Sequence, residues 1–235
     1  MIMKITEQQK KVIDSIVCIF ETGNLPSVSA YSSCSILSDG AGISYGKHQS
    51  TDKGGALDKI VELYIERGGM HSTELKPFMT HLATNETSKI DPKQPPDWTK
   101  TLISILKEAG KDPIMQSCQD VIFDSCYWIP ALGHVDNIGV SSALSHLVVY
   151  DTCIHSGPGG VANIRSKFPE PSPKRGGEEK SWTTAYVKAR REWLSSHKNP
   201  LVQKTVYRMD AFSEIIKSGN WDLKTPLTVR GVKIS

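Results

Sequence analysis

The chain has 235 residues, 38% of them hydrophobic, with 28 basic against 25 acidic side chains and a formal net charge of +3. That length serves one large domain or two closely packed lobes around a buried core. No apolar run approaches a membrane span, and so slight a positive excess gives no footing for nucleic acid, so neither membrane insertion nor nucleic-acid binding is expected. The charge balance mildly disfavours a strongly cationic substrate and is compatible with an anionic one.

Five cysteines (Cys18, Cys34, Cys118, Cys126, Cys153) form no CxxC pair. Buried free thiols are expected, and with no metal-ligand spacing among His71, His81 and His134, neither a metal nor another cofactor. The opening "MIMKITEQQKK" carries no apolar signal segment, which predicts synthesis in the cytoplasm and release by lysis or a dedicated export machine.

Thr6 and Gln9 form a capping box, and Val12, Ile13, Ile16, Val17 and Phe20 recur at helical spacing. Gly23 is a natural stop, so the first helix ends with Glu21 in its last turn. Beyond a polar stretch to Ala30, "YSSCSIL" and "ISYGKHQ" flank an Asp-Gly turn and read as a β-hairpin. Helices are predicted over 55–67 and, shorter, in "HSTELKPFMTHL". The polar, proline-rich "ATNETSKIDPKQPPD" reads as a surface linker between lobes. Asp97 begins a helix through Ala109, and Asp112-Pro113 starts another through about Trp128. Ser141 caps a helix to about His155, and "SKFPEPSPKRGGEE" is a loop. Helices follow over about 179–196 and from Asn199-Pro200 to 218, and the tail from Trp221 is extended. The chain reads as mainly α (α+β), with one small β-hairpin element and no internal repeat.

The turn in "SDGAGISYGKH" isolates one carboxylate, Asp39, among glycines. Asp-Gly between β-prone runs is ordinary hairpin chemistry, but such glycines also let another molecule approach closely. Glu21 on a helix end and Asp39 on a hairpin, joined by a short loop, form a topology able to place two carboxylates across a cleft. Glycoside hydrolysis needs such a pair, one protonated and one ionised. Phe20 and the negative helix end favour the neutral form of Glu21, whereas backbone N–H groups on the turn keep Asp39 ionised. Ser44 offers a hydroxyl to orient a water. Taken singly, Glu21 reads equally well as a surface acid.

Glu21, Tyr31 with Asp39 after seven intervening residues, and "DGAGIS" from Asp39 to Ser44 resemble the signature of the family 46 glycoside hydrolases, the chitosanases of the lysozyme-like superfamily. The similarity continues in "ALSHLVVYDTCIHSGPGG", "YVKARREWL" and "YRMDAFSEIIKSGNWDL", is weakest from about residue 70 to 115, and covers most of the chain. It implies a lysozyme-like, two-lobed helical fold in a single catalytic domain, 1–235. The smaller lobe, about 25–95, would carry the hairpin, and the first helix with about 97–220 would build the larger. By the same resemblance Glu21 is the general acid and Asp39 the general base of an inverting hydrolysis, their carboxyls about 6.5–9.5 Å or more apart to admit a water. Ser44 stands where the family uses threonine to help hold that water. Tyr127 is expected to line the sugar cleft, together with Tyr31, Gly42 and Tyr45 of the hairpin region.

Three charges occupy core-facing positions: Asp151 with Leu144, Leu147 and Val148; Arg190 between Tyr186 and Trp193; Arg208 in the stripe Leu201, Thr205, Phe212, Ile215. A lone buried charge is costly, so either these pair or their helices rotate them outward. The resemblance implies pairing, in a network behind the acid with Arg208 nearest Glu21.

The pattern departs from the chitosanases where it bears on substrate. The family's turn reads D-G-R-G, whereas Ala41 stands here; an acidic residue expected near the start of the next helix falls on Ala56; and Lys47, His48 and Lys53 stand nearby. A cationic polymer would meet repulsion there, while the carboxylates of peptidoglycan would meet attraction. The expectation is a lysozyme-like (muramidase) hydrolase of peptidoglycan acting on the cell wall, with chitosan as the second substrate. A monomer is expected, with an export machinery or an inhibitor (immunity) protein as its protein partners. A non-catalytic glycan-binding module is the alternative from another class, disfavoured by the intact Glu21 and Asp39. Cys34 with His48, or Cys153 with His155, carries no recognisable cysteine-hydrolase signature.

Overall fold

The structure, a computed structural model, describes residues 5–235. It forms two compact units: the described part of Met1–Leu25 with Cys126–Ser235, and Pro26–Ser125. No described helix is long and apolar enough to cross a membrane.

In the first unit the helix Glu7–Thr22 begins as expected, Thr6 and Gln9 closing both halves of the capping box. It ends at Gly23, whose φ of 78° lets its N–H return to the Ile19 carbonyl. Its buried stripe, Val12 to Phe20, packs on the helix Ala143–Ser156. That helix is buried on every face from Ala143 to Cys153, because Glu7–Thr22, Ile129–Ile138, Gly160–Arg165 and Glu179–Ser195 all pack against it. Its cap is Ser142; the neighbouring Ser141 instead donates its hydroxyl to Glu179 at 2.9 Å.

Several expected helix bounds change. The helix expected to run to Trp128 stops at Phe123 and is followed by a π-helical turn, Asp124–Trp128, and a helix that sequence reading omitted, Ile129–Ile138. Gly160–Arg165 is helical as well. The helix expected from Pro200 is interrupted, Pro200–Gln203 and Tyr207–Lys217 being separated by a 3-10 turn. Leu201, placed in the core stripe, is 69% exposed. The tail forms a second hairpin, Leu227–Val229 against Val232–Ile234.

The second unit carries an antiparallel sheet of three short strands, β1 (Cys34–Ile36), β2 (Ile43–Tyr45) and β3 (Ser50–Thr51), in that order. Cys34 pairs with Tyr45, Ile36 with Ile43 and Ser44 with Thr51. Ile43 and Tyr45 enter a core completed by Leu57, Ile60 and Tyr64 of the helix Leu57–Glu66, and by Leu102, Leu106, Met115 and Cys118. Those last four residues place the helices Asp97–Ala109 and Pro113–Phe123 in the sheet-bearing unit, which therefore extends to Ser125 rather than to about residue 95. Pro77 splits the short helix of "HSTELKPFMTHL" into Ser72–Leu75, a 3-10 turn and Met79–Ala83. The stretch expected to be a surface linker holds a 3-10 turn, Glu86–Lys89, with Thr87 fully buried. None of the five cysteines is in a disulfide, and all but Cys126 are buried.

Candidate active site

Glu21 sits where its helix runs out, with 26% of its side chain exposed. One turn of sequence places it there: the buried face ends at Phe20, and the Gly23 cap stops the helix. The Tyr207 hydroxyl donates to the Phe20 carbonyl at 2.7 Å, tying this end to the helix Tyr207–Lys217. Arg208, the next residue of that helix, gives Nη2 to Glu21 Oε1 and Nη1 to Asp151 Oδ1, both at 2.6 Å. The other Asp151 oxygen accepts from Arg190 Nη1 at 2.6 Å. Asp151 and Arg190 are fully buried and Arg208 is 3% exposed. Four helices thus carry the alternating row Glu21, Arg208, Asp151, Arg190, and the planar guanidinium of Arg208 fixes the angle between its two carboxylates.

The alternation of sign makes this burial tolerable. Burial pushes the Asp151 carboxyl up, but the Arg208 and Arg190 charges outweigh it and hold the group below the usual carboxylate range. Burial likewise disfavours the Arg208 cation, yet Asp151 and Glu21 more than restore it. The expected pairing of the three core-facing charges is therefore present, with Arg208 on the Glu21 side. Tyr127 lies in the π turn, a local geometry frequent at functional sites. It is half-buried, and its phenol is shifted up by burial and by the nearby Cys126 and Glu21.

In the second unit Asp39 is exposed on the loop between β1 and β2. The loop is closed by the Leu37 N–H to the Gly42 carbonyl at 2.9 Å. The Ala41 N–H donates to Asp39 Oδ1 at 3.0 Å, an Asx turn that orients the carboxylate. Gly40 and Gly42 take φ of 79° and 80°, which glycine adopts without strain. Gly42 does not line an open cleft, however. It is buried, and a Cβ there would lie 2.7 Å from Thr87 Oγ1 and 2.8 Å from the Ser88 nitrogen. Its missing side chain makes room for protein, not sugar.

Ser44 is 1% exposed and donates its hydroxyl to Gln49 Oε1 at 2.8 Å, leaving only acceptor capacity for a water. Tyr45 leaves the set of sugar-facing candidates: it is fully buried, and its hydroxyl donates to the Leu106 carbonyl at 2.7 Å. Strand alternation explains this, since Tyr45 shares the core side with Ile43.

Lys47 is not available to an anionic polymer. It is 6% exposed, and its ammonium donates to Asp120 Oδ1 at 2.9 Å and to the Tyr31 hydroxyl at 3.1 Å. Tyr31 in turn donates to Asp120 Oδ2 at 2.8 Å. His48, its side chain 5% exposed, stacks on Phe123 with ring centroids 3.5 Å apart and brings Nε2 to 3.7 Å from Asp120. Of the three basic residues, Lys53 is exposed. Sequence reading missed Asp120 and Gln119. Gln119 accepts from the Lys47 N–H and donates to the Tyr31 carbonyl, and its amide fills the space a side chain at Gly46 would need. The only sequence signal was two polar residues beside Cys118 on the inner face of a helix.

Burial pushes the Asp120 carboxyl up, but His48, Lys47 and Tyr31 outweigh it and bring it down to about 2. A carboxyl held below its unfolded value contributes stability that is present above that value, near 3.8, and lost as pH falls through about 2. The Tm gap between wild type and Asp120→Asn should therefore hold steady from pH 7 to pH 5 and close towards pH 2. A gap independent of pH would contradict this pairing.

Comparison with known proteins supplies the context. The family model described as glycosyl hydrolase family 46 matches residues 15–227. A chitosanase of Bacillus subtilis (strain 168) is 27% identical over 243 residues, covering 96% of this chain and 83% of that protein. The crystal structure of native chitosanase from Bacillus subtilis MY002 matches with a TM-score of 0.81 and 26% identity over 97% of this chain and 96% of the other. A mutant of that chitosanase with one glutamate replaced by alanine, complexed with 6 GlcN, gives 0.80 and 26% over the same shares.

Proposed function

As a member of glycosyl hydrolase family 46, the chain is a glycoside hydrolase, and we propose that it cleaves the β-1,4 bonds of chitosan with inversion at the anomeric carbon. Glu21 gives its proton to the leaving glycosidic oxygen. Asp39 takes a proton from a water, whose oxygen bonds to the anomeric carbon as the carbon–oxygen bond to the leaving sugar breaks. Arg208, held by Asp151, fixes the Glu21 carboxyl through the 2.6 Å contact, and that contact is the observation that carries the reading. A carboxyl so held meets the leaving oxygen in one orientation, which general acid catalysis rewards.

Chitosan replaces peptidoglycan as the favoured polymer. The preference for peptidoglycan leaned on Lys47, His48 and Lys53; the first two face Asp120, and Lys53 is the one of the three left exposed. Near the start of the helix Leu57–Glu66, where Ala56 lacks the expected carboxylate, Asp58 supplies one in the first turn. The relatives named above are chitosanases, one of them complexed with glucosamine units.

Release of reducing ends from chitosan and from purified cell wall separates the readings. Ready release from chitosan and little from cell wall is expected. Release from cell wall alone would restore the peptidoglycan reading, and release from neither, with measurable glycan binding, would leave a silent binding module.

A further inference from the structure

We propose that Thr87 and Asp52 are positioning residues that brace the loop carrying Asp39, an inference resting on Asp39 as the general base. Three segments distant in sequence meet beneath this loop. Gly42 lies against Thr87 and Ser88, and a Cβ on Gly40 would come within 3.8 Å of the Ser88 carbonyl, so the turn Glu86–Lys89 forms the floor of the loop. Thr87 is fully buried and donates its hydroxyl to Asp52, which is 1% exposed. Asp52 follows β3, and its N–H donates to the Ile43 carbonyl at 3.2 Å; the next N–H, of Lys53, donates to the Ala41 carbonyl at 3.3 Å. The Thr87–Asp52 contact therefore locks the floor to the strand that holds residues 41 and 43, on both sides of Gly42. The floor is itself set by Asn85 at a φ of 54°, whose carbonyl accepts from the Ser88 N–H at 3.2 Å.

Asp39 is exposed at the loop's tip and is aimed only by its backbone, so its position is as good as this brace. A base displaced by about 1 Å costs about 100-fold in rate while leaving polymer binding intact. Thr87 sits in the stretch where the family resemblance is weakest, and the apparent linker gave no hint of its contact with Asp52.

The test uses Thr87→Val, which keeps the shape and removes the hydroxyl, and Thr87→Ser, which restores it. On chitosan, with rates taken per folded molecule below the unfolding midpoint, Thr87→Val should lower kcat about 10- to 100-fold with KM changed less than about twofold. Thr87→Ser should recover most of that loss. Hydrogen exchange of the Leu37 amide, which closes the loop, should speed up in Thr87→Val and not in Thr87→Ser. A folded Thr87→Val with wild-type kcat, or a loss shared equally by Thr87→Ser, overturns the proposal. Asp39→Asn separates the two failures. If it is inactive while Thr87→Val is unimpaired, only the brace fails. If it turns over normally, the base assignment falls and the brace with it.

Discussion

Replacing Glu21 by glutamine is expected to slow chitosan hydrolysis about 10²- to 10⁴-fold, the span a positioned general acid contributes. The amide matches the carboxyl in size and has no proton of suitable acidity to give. It still offers an oxygen to Arg208 Nη2, so the row Arg208, Asp151, Arg190 should stay intact and the fold with it. Affinity for a chitosan oligomer, measured by calorimetry on the inactive variant, should remain within a few-fold of wild type. Turnover above one tenth of wild type would remove Glu21 from the proton-donor role.

The largest effect on stability is expected at Asp151. It is fully buried and accepts from two guanidinium groups at 2.6 Å. Asp151→Asn would leave Arg190 buried beside a neutral amide and Arg208 with Glu21 alone. Removing one partner of a buried ion pair costs about 3–5 kcal/mol, because the remaining charge stays desolvated. Chemical denaturation should show a loss of that order with an unchanged slope. Activity should fall further than the folded fraction, since Arg208 would lose the anchor that sets its angle to Glu21. A loss below about 1 kcal/mol would mean that water reaches Arg190 and that the burial described above does not hold in solution.

Local chemistry made much of this chain legible. The capping box at Thr6, the stripe to Phe20 and the stop at Gly23 placed Glu21 on a helix end. The Asp-Gly turn between β-prone runs placed Asp39 between β1 and β2. Periodicity set Asp151, Arg190 and Arg208 on inner faces and left open whether they pair or turn outward; the family resemblance implied that they meet, and they do. What failed needed partners remote in sequence. Lys47 read as a free cation because Asp120 stands 73 residues away. Gly42 read as a gap for sugar because nothing near it in sequence announced Thr87. Tyr45 lay in a strand too short for its alternation to say which face is inner. The helix Ile129–Ile138 was missed because Pro130 resembles a break, whereas at the second position of a helix proline costs no hydrogen bond.

Inversion requires a water, not the protein, to attack the sugar opposite the leaving group. Proton NMR of the first products of chitosan cleavage, recorded before mutarotation, reads this directly. The new reducing ends should appear as the α anomer and drift towards the equilibrium mixture. Reducing ends that first appear as the β anomer would mean retention through a covalent intermediate, and the roles given to Glu21 and Asp39 would be wrong.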